Sequence, residues 1–304
     1  MRSYVLLASA GVLLAGLSLV AEKARAMPGD LYVANRLGNN ITRFTPGGVG
    51  SVFASTGLDN PAGLAFDTAG NLYASNLSIK TIERFTPGGV GSVFASTGLN
   101  NPAYLAFDTT GNLYAADFAS NTIERFTPGG VGSVFASAGL DGPHGLAFDT
   151  TGNLYVANFF GNNIERFTPG GVGSVFVSGS GTIGLLGLAF DTAGDLYASS
   201  LYFKTIERFT PGGVGSVFAS TGLNNPAYLA FDTTGNLYGS DFVSNTIERF
   251  TPGGVGSVFA STGLNGPYGL AFEPAAAGTT VPEPASMAVL GAGLLGLAAV
   301  RRRA

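Results

Sequence analysis

The 304 residues carry 15 Lys and Arg against 19 Asp and Glu, a net charge of −4, with no cysteine and 47 glycines. No disulfide can therefore brace the fold, and between residues 27 and 281 nine basic side chains stand against seventeen acidic ones, which leaves no basic surface for a phosphate backbone and argues against nucleic acid as a partner. Charged residues make up only 11% of the chain, a balance that suits many tight turns between short strands better than exposed helices.

The chain opens with Arg2, an apolar run over residues 4–21, and Ala24-Arg25-Ala26. A basic start, an apolar stretch and a small-x-small site are the marks of a secretory signal peptide, so residues 1–26 are expected to be removed by signal peptidase at Ala24 and Ala26. Glu22, Lys23 and Arg25 crowd that site, which leaves a retained N-terminal anchor as the alternative.

Residues 27–275 are built from repeats. FTPGGVGSVF begins at residues 44, 85, 126, 167, 209 and 250, so its spacings are 41, 41, 41, 42 and 41 residues. A period near forty with four strand candidates per unit is the signature of a propeller blade. The four candidates are a Leu-Tyr strand (LYVAN at 31), a strand ending in ERF, a strand around GSVFAS, and LAFD. Thr45-Pro46-Gly47-Gly48 places proline where a turn wants φ near −65° and glycine where φ turns positive, so each FTPGGVGSVF is expected to be a hairpin and not a phosphate loop. No helical period occurs between the two ends of the chain.

The first repeat lacks an LAFD strand, and the last, LAFE at 270–273, has no Leu-Tyr strand after it. If the strands run LAFD, LY, ERF, SVF from axis to rim, the last strand completes the first blade and removes the open sheet edges. The predicted fold class is all-β: a six-bladed β-propeller of four-stranded antiparallel blades, closed by a shared first and last blade. An open β-solenoid is the alternative. Units three apart are near twins, NNPAYLAFDTTGNLYAADF at 100 and NNPAYLAFDTTGNLYGSDF at 224, so approximate two-fold symmetry is expected as well, with one added residue around 177–187.

Inside such a ring the LAFD strand lines the axis, where Gly63 and Ala65 suit the crowding, and Phe66, Phe107, Phe148, Phe190, Phe231 and Phe272 pack between blades. Glu83 and Arg84 are sequence neighbours and point to opposite faces. That arrangement recurs at Glu124, Glu165, Glu207 and Glu248 and leads us to expect each Glu to face an Arg of the adjoining blade.

The turns DTTGN and TPGGVG fall on one face and barely vary. The opposite face collects what differs between blades: residues 36–40, 77–81, 118–122, 159–163, 201–205 and 242–246, together with the start of each axial strand. A ligand entering near the axis would meet Tyr104, His144, Tyr228 and Tyr268, with Phe159, Phe160, Tyr202 and Phe203 around them, an aromatic candidate surface that drift in packed loops would also produce. Asp117 and Asp241, like Asn35, Asn76 and Asn158, end Leu-Tyr strands; they offer oxygen ligands, and equally suit hydrogen bonds to the following turn.

At the end of the chain Val281-Pro282-Glu283-Pro284 leads into sixteen uncharged residues and Arg301, Arg302 and Arg303. Residues 276–284 form a linker with the Pro-Glu-Pro motif, and residues 285–304 a short transmembrane helix with an arginine tail held in the cytoplasm by the positive-inside rule. Pro282, Glu283 and Pro284, the apolar helix and the terminal arginines resemble the PEP-CTERM sorting signal. The resemblance implies cleavage near that motif by an exosortase and delivery of the protein from a transient inner-membrane anchor to the cell surface or extracellular matrix. An uncut anchor is the alternative.

The Pro-x-Gly-Leu-Ala-Phe-Asp-x-x-Gly-Asn-Leu-Tyr pattern resembles six-bladed propellers of the NHL and gluconolactonase type, a group that also includes virginiamycin B lyase. Fold likeness of this kind hosts enzymes and binding modules alike. Gluconolactonase-like enzymes hold an axial metal with a Glu, Asn and Asp set, but the matching positions here are Ala62, Ala103, His144, Leu186, Ala227 and Tyr268, and lyases of the virginiamycin type need more histidines than the single His144. GGVG has no Gly-Lys-Ser/Thr continuation, valine stands where calcium-binding nonapeptides need Asp, and no Ser or Cys sits in a nucleophile context. The expectation is a non-catalytic surface or matrix module without cofactor or metal, which meets an extracellular polysaccharide or protein. A propeller hydrolase or lyase is the alternative.

Overall fold

Each FTPGG segment closes on itself through local hydrogen bonds. In the first copy Thr45 N–H donates to Val49 O at 3.1 Å and Gly48 N–H to Thr45 O at 2.8 Å, and Gly48 has φ +78°. A Cβ there would lie 2.7 Å from the Phe259 carbonyl of the neighbouring blade, so glycine is required by both conformation and space. The Asp67 turn is set just as locally: its Oδ1 accepts from the backbone of Ala69 and Asn71 at 3.0 and 2.8 Å. That Asx turn recurs at Asp108, Asp149, Asp191 and Asp232. These punctuation marks cut the chain into strands of five or six residues.

The computed structural model describes residues 29–179 and 182–274. They form twenty-four strands, β1 (Leu31–Asn35) to β24 (Pro267–Phe272), in six four-stranded antiparallel sheets. Blade II shows the common order from axis to rim: β4 (Pro61–Phe66), β5 (Leu72–Asn76), β6 (Thr81–Phe85) and β7 (Gly91–Ala95). Blades III, IV, V and VI repeat it over 102–136, 143–178, 185–219 and 226–260. Blade I is composite. Here β24 pairs with β1, Leu31 opposite Phe272 and Val33 opposite Leu270, and β2 (Asn40–Phe44) and β3 (Gly50–Ala54) complete the sheet. The expected closure is thus formed. The signal segment, its cleavage residues Ala24 and Ala26, the Pro-Glu-Pro motif and the C-terminal helix lie outside the described residues. Among the described residues no helix is long and apolar enough to cross a membrane.

The blades are held together by a repeated aromatic contact. Tyr32 meets Phe53 of its own blade and Phe66 of the next edge to face at 4.9 and 5.0 Å, and Tyr73 with Phe94 and Phe107 repeats the contact. The last link joins Tyr238 to Phe272 at 5.0 Å and closes the ring. Such pairs add about 0.5–1.5 kcal/mol each beyond their buried area. The inner strands approach so closely that a Cβ on Gly269 would lie 2.0 Å from the Ala62 carbonyl and one on Gly145 2.3 Å from that of Leu186.

The Glu to Arg expectation fails. Among the described residues no ion pair joins Glu83, Glu124, Glu165, Glu207 or Glu248 to an arginine. Glu83 lies instead against the connector at Gly57, while Arg84 sits opposite Tyr73 of its own blade in register. The alternation of the strand does separate the two side chains, but it turns Arg84 to the exposed face and Glu83 to the buried one. Burial pushes the carboxyls of Glu83, Glu124, Glu165 and Glu248 up from the ordinary carboxylate range.

Candidate ligand-binding site

The two faces differ as the strand order dictates. On the invariant face the Asx turn meets the Pro-Gly hairpin, Gly70 lying against Pro87. On the opposite face, the residue after each Leu-Tyr strand donates its backbone N–H to the connector entering the same blade. Arg36, Leu77, Phe118, Phe159, Leu201 and Phe242 bond Gly266, Asn60, Asn101, Gly142, Gly184 and Asn225 at 2.8–3.2 Å. Six equivalent bonds hold six equivalent side chains around the axis. They line one cavity of about 340 Å³, to which Ala103, His144, Leu186 and Tyr268 from the axial strands and the amides of Asn101 and Asn225 also contribute.

The axis itself is filled by an aromatic plug. Tyr104 and Tyr228, from the twin blades III and VI, stack across the axis with ring centroids 4.3 Å apart and planes 7° from parallel. The Tyr104 hydroxyl donates to Leu188 O at 3.1 Å and that of Tyr228 to Ala103 O. Tyr104, Tyr228, Tyr268 and His144 are all buried, so most of the axial part of the expected aromatic surface fills the channel; His144 and Tyr268 alone of the four also line the cavity. Of the outer candidates Phe159 lines the cavity, while Phe160, Tyr202 and Phe203 stay exposed at the rim. Phe159 touches Phe160 at 5.1 Å and Tyr202 at 5.7 Å, so cavity and rim are continuous.

His144 sits between two partners. Its Nδ1 is 3.3 Å from Leu186 O, which can only accept, so Nδ1 carries the proton and Nε2, 3.0 Å from the Tyr268 hydroxyl, accepts. Burial holds its pKa down at about 4, and the positive charge of Arg36 adds to that effect. Both nitrogens of the neutral ring are engaged.

Asp117 and Asp241 are fully buried and lie within the blades, away from the cavity lining. Asp117 accepts from the backbone N–H of Asn100, Asn101 and Ser120 at 2.6, 3.0 and 3.2 Å; Asp241 accepts from Asn224, Asn225 and Ser244. Asn35, Asn76 and Asn158 hold the same connectors with one amide oxygen and spend the Nδ2 on the carbonyl of Gly263, Gly57 or Gly139. The donor set does not fit an axial metal. The inner positions supply only His144, with both nitrogens occupied, and the Tyr268 hydroxyl bonded to it, and among the described residues no group of three or more His, Cys, Asp or Glu could hold an ion.

Arg36 was not apparent as a site residue in the sequence. Its Nε donates to Asn60 Oδ1 at 2.6 Å and its guanidinium lies 5.0 Å from the centre of the Tyr268 ring and 6.0 Å from that of Phe242. The signal was available: the residue following each Leu-Tyr strand is apolar in five blades and arginine in one.

Residues 280–303 match the PEP-CTERM protein-sorting motif. The chain carries an exosortase sorting signal. That signal implies an exported protein, held transiently in the membrane and then displayed at the surface. No curated protein matches the sequence. Among solved structures, one from a nidogen/laminin complex superposes with a TM-score of 0.73 at 22% identity, over 80% of this chain and 98% of that one. Virginiamycin B lyase from Staphylococcus aureus gives 0.65 at 16% identity, over 82% and 87%. A gluconolactonase from Xanthomonas campestris gives 0.60 at 22% identity, over 70% and 79%. At these identities the superpositions show a likeness of fold alone.

Proposed function

We propose that this exosortase substrate is a surface- or matrix-associated propeller that acts as a non-catalytic binding module, with the axial cavity of its variable face as the ligand site. The observation that carries the reading is the ring of six equivalent side chains, identical in backbone bonding and different in chemistry, above an axis closed by hydrogen-bonded aromatics. A general base must reach a substrate proton with a free lone pair, and the one histidine has both nitrogens engaged. The export partners are signal peptidase and an exosortase; the mature partner is an extracellular polysaccharide or protein.

A hydrolase or lyase is the second reading, favoured by the likeness in fold to the lyase and the lactonase and by His144 at the cavity. Two assays separate them. Binding of extracellular matrix fractions that is lost on Phe160→Ala with Tyr202→Ala supports the module. Turnover of a lactone panel with added calcium or zinc, abolished by His144→Ala, would overturn it.

A further inference from the structure

The approximate two-fold symmetry of the ring makes the cavity readable in pairs. Leu77 faces Leu201 from blades II and V, and Phe118 faces Phe242 from blades III and VI. The third pair, Arg36 in blade I and Phe159 in blade IV, is the one that breaks the symmetry. Arg36 is also the one charged side chain among the lining residues, and no carboxylate lines the cavity. Nor does any carboxylate pair with it among the described residues.

The guanidinium is held before any ligand arrives. Asn60 takes its Nε, and the rings of Tyr268 and Phe242 lie against its carbon. A planar cation fixed at the wall of a cavity that also presents Leu77, Phe118, Phe159 and Leu201 is the arrangement that recognises a carboxylate by paired N–H bonds, and it does so more strongly where water is displaced. We propose that the cavity binds a carboxylate borne on an apolar body, with the carboxylate on Arg36 and the body among Leu77, Phe118, Phe159 and Leu201. This rests on the reading of the cavity as the ligand site.

The lining favours an aryl or alkyl body over a hydroxyl-rich one. Apart from Arg36, the polar residues of the lining are Asn101, Asn225 and the mutually bonded Tyr268 and His144, so the hydroxyls of a sugar ring would exchange water for few side-chain partners. The volume, at the low end for ligand pockets, suits one ring and a short chain. Two sources share this chemistry: a small free carboxylate, and the C-terminus of a chain that ends in an apolar residue.

The test is calorimetric titration of the full chain in lipid nanodiscs with 3-phenylpropionate, its neutral amide and phenethylamine. The acid is expected to bind about tenfold or more tightly than the amide, a difference of about 1.4 kcal/mol, and the amine not at all. Arg36→Leu, which installs the side chain already used at Leu77 and Leu201, is expected to make acid and amide equal; Arg36→Gln serves the same end should the leucine variant fail to fold. Peptides that end in Phe with free or amidated termini distinguish the sources: tighter binding of the free-terminus peptide than of phenylpropionate assigns a chain end, and its exclusion assigns a small carboxylate. Equal affinity for acid and amide in the natural chain sinks the charge assignment while leaving the cavity a ligand site. Failure of all three probes, with matrix binding retained, overturns this proposal and leaves the binding module to act elsewhere on the face.

Discussion

The Nε2 of His144 and the hydroxyl of Tyr268 meet 3.0 Å apart across the propeller axis, from blades three apart in the ring. One bond thus ties opposite walls of the channel, with the neutral imidazole as its acceptor. Protonated, His144 would present a second N–H to Tyr268 and a buried charge to a plug made of aromatic rings.

This sets a pH dependence. The folded pKa of His144 is about 4, below the ordinary 6.5, so the folded state binds fewer protons than the unfolded chain between those values. Its contribution is fully present above pH 6.5 and is lost as pH falls towards 4, by roughly 3 kcal/mol in all. Glu83, Glu124, Glu165 and Glu248 act with the opposite sign, because their raised pKa values favour folding as they protonate. The measurement is therefore a difference: urea midpoints of the natural chain and of His144→Gln across pH 4 to 7. The natural chain should lose more stability on acidification than the variant, and equal slopes would mean that His144 titrates normally.

The stacked pair Tyr104 and Tyr228 predicts a graded loss. Tyr228→Phe keeps the stack and removes one hydrogen bond to Ala103 O, which retains the 3.5 Å bond from Ser75 Oγ, for about 1 kcal/mol. Tyr228→Ala opens a cavity at a fully buried position, for about 3–5 kcal/mol. Thermal or urea unfolding reads both. A Tyr228→Ala variant as stable as the natural chain would mean that the plug contributes nothing to the ring.

The architecture was legible because its determinants are local and repeated: the Pro-Gly-Gly hairpins and Asp-Asn turns act within five residues, and six copies fix the period and the closure. The site was legible only in part, because side-chain direction near the axis depends on distances between blades. Tyr104 and Tyr228 stand where the other four blades have glycine, at Gly63, Gly145, Gly187 and Gly269, and only the width of the channel decides that two rings fill it and do not face solvent. The Glu and Arg expectation failed for a related reason. Sequence alternation gives opposite faces, but which face meets the connector is a tertiary fact.

Gly269 tests the closure of the ring. An added Cβ would lie 2.0 Å from the Ala62 carbonyl, a backbone atom that can yield only if blades I and II part. Gly269→Ala should cost about 1–3 kcal/mol, as overpacking does. Gly47→Ala is the control, since its nearest neighbour would be Thr45 Oγ1 at 3.9 Å, and it should leave the unfolding midpoint nearly unchanged. Equal midpoints for the two variants would contradict the close approach of the inner strands.

Asp117 separates a structural role from a chemical one. It is fully buried and accepts from three backbone N–H groups, and the equivalent residues Asn35, Asn76 and Asn158 hold the same connectors through an amide. In those three blades the amide N–H₂ finds a connector carbonyl, at Gly263, Gly57 and Gly139. Asp117→Asn should therefore be tolerated, within about 1 kcal/mol of the natural chain, whereas Asp117→Ala strands buried N–H groups and should cost about 1–3 kcal/mol for each one left without water. Unfolding midpoints give the stabilities, and the lactone panel gives the chemistry. A catalytic carboxylate would show the reverse pattern, with Asn as damaging to turnover as Ala and stability unmoved by either, and that result would return Asp117 to the list of reacting groups.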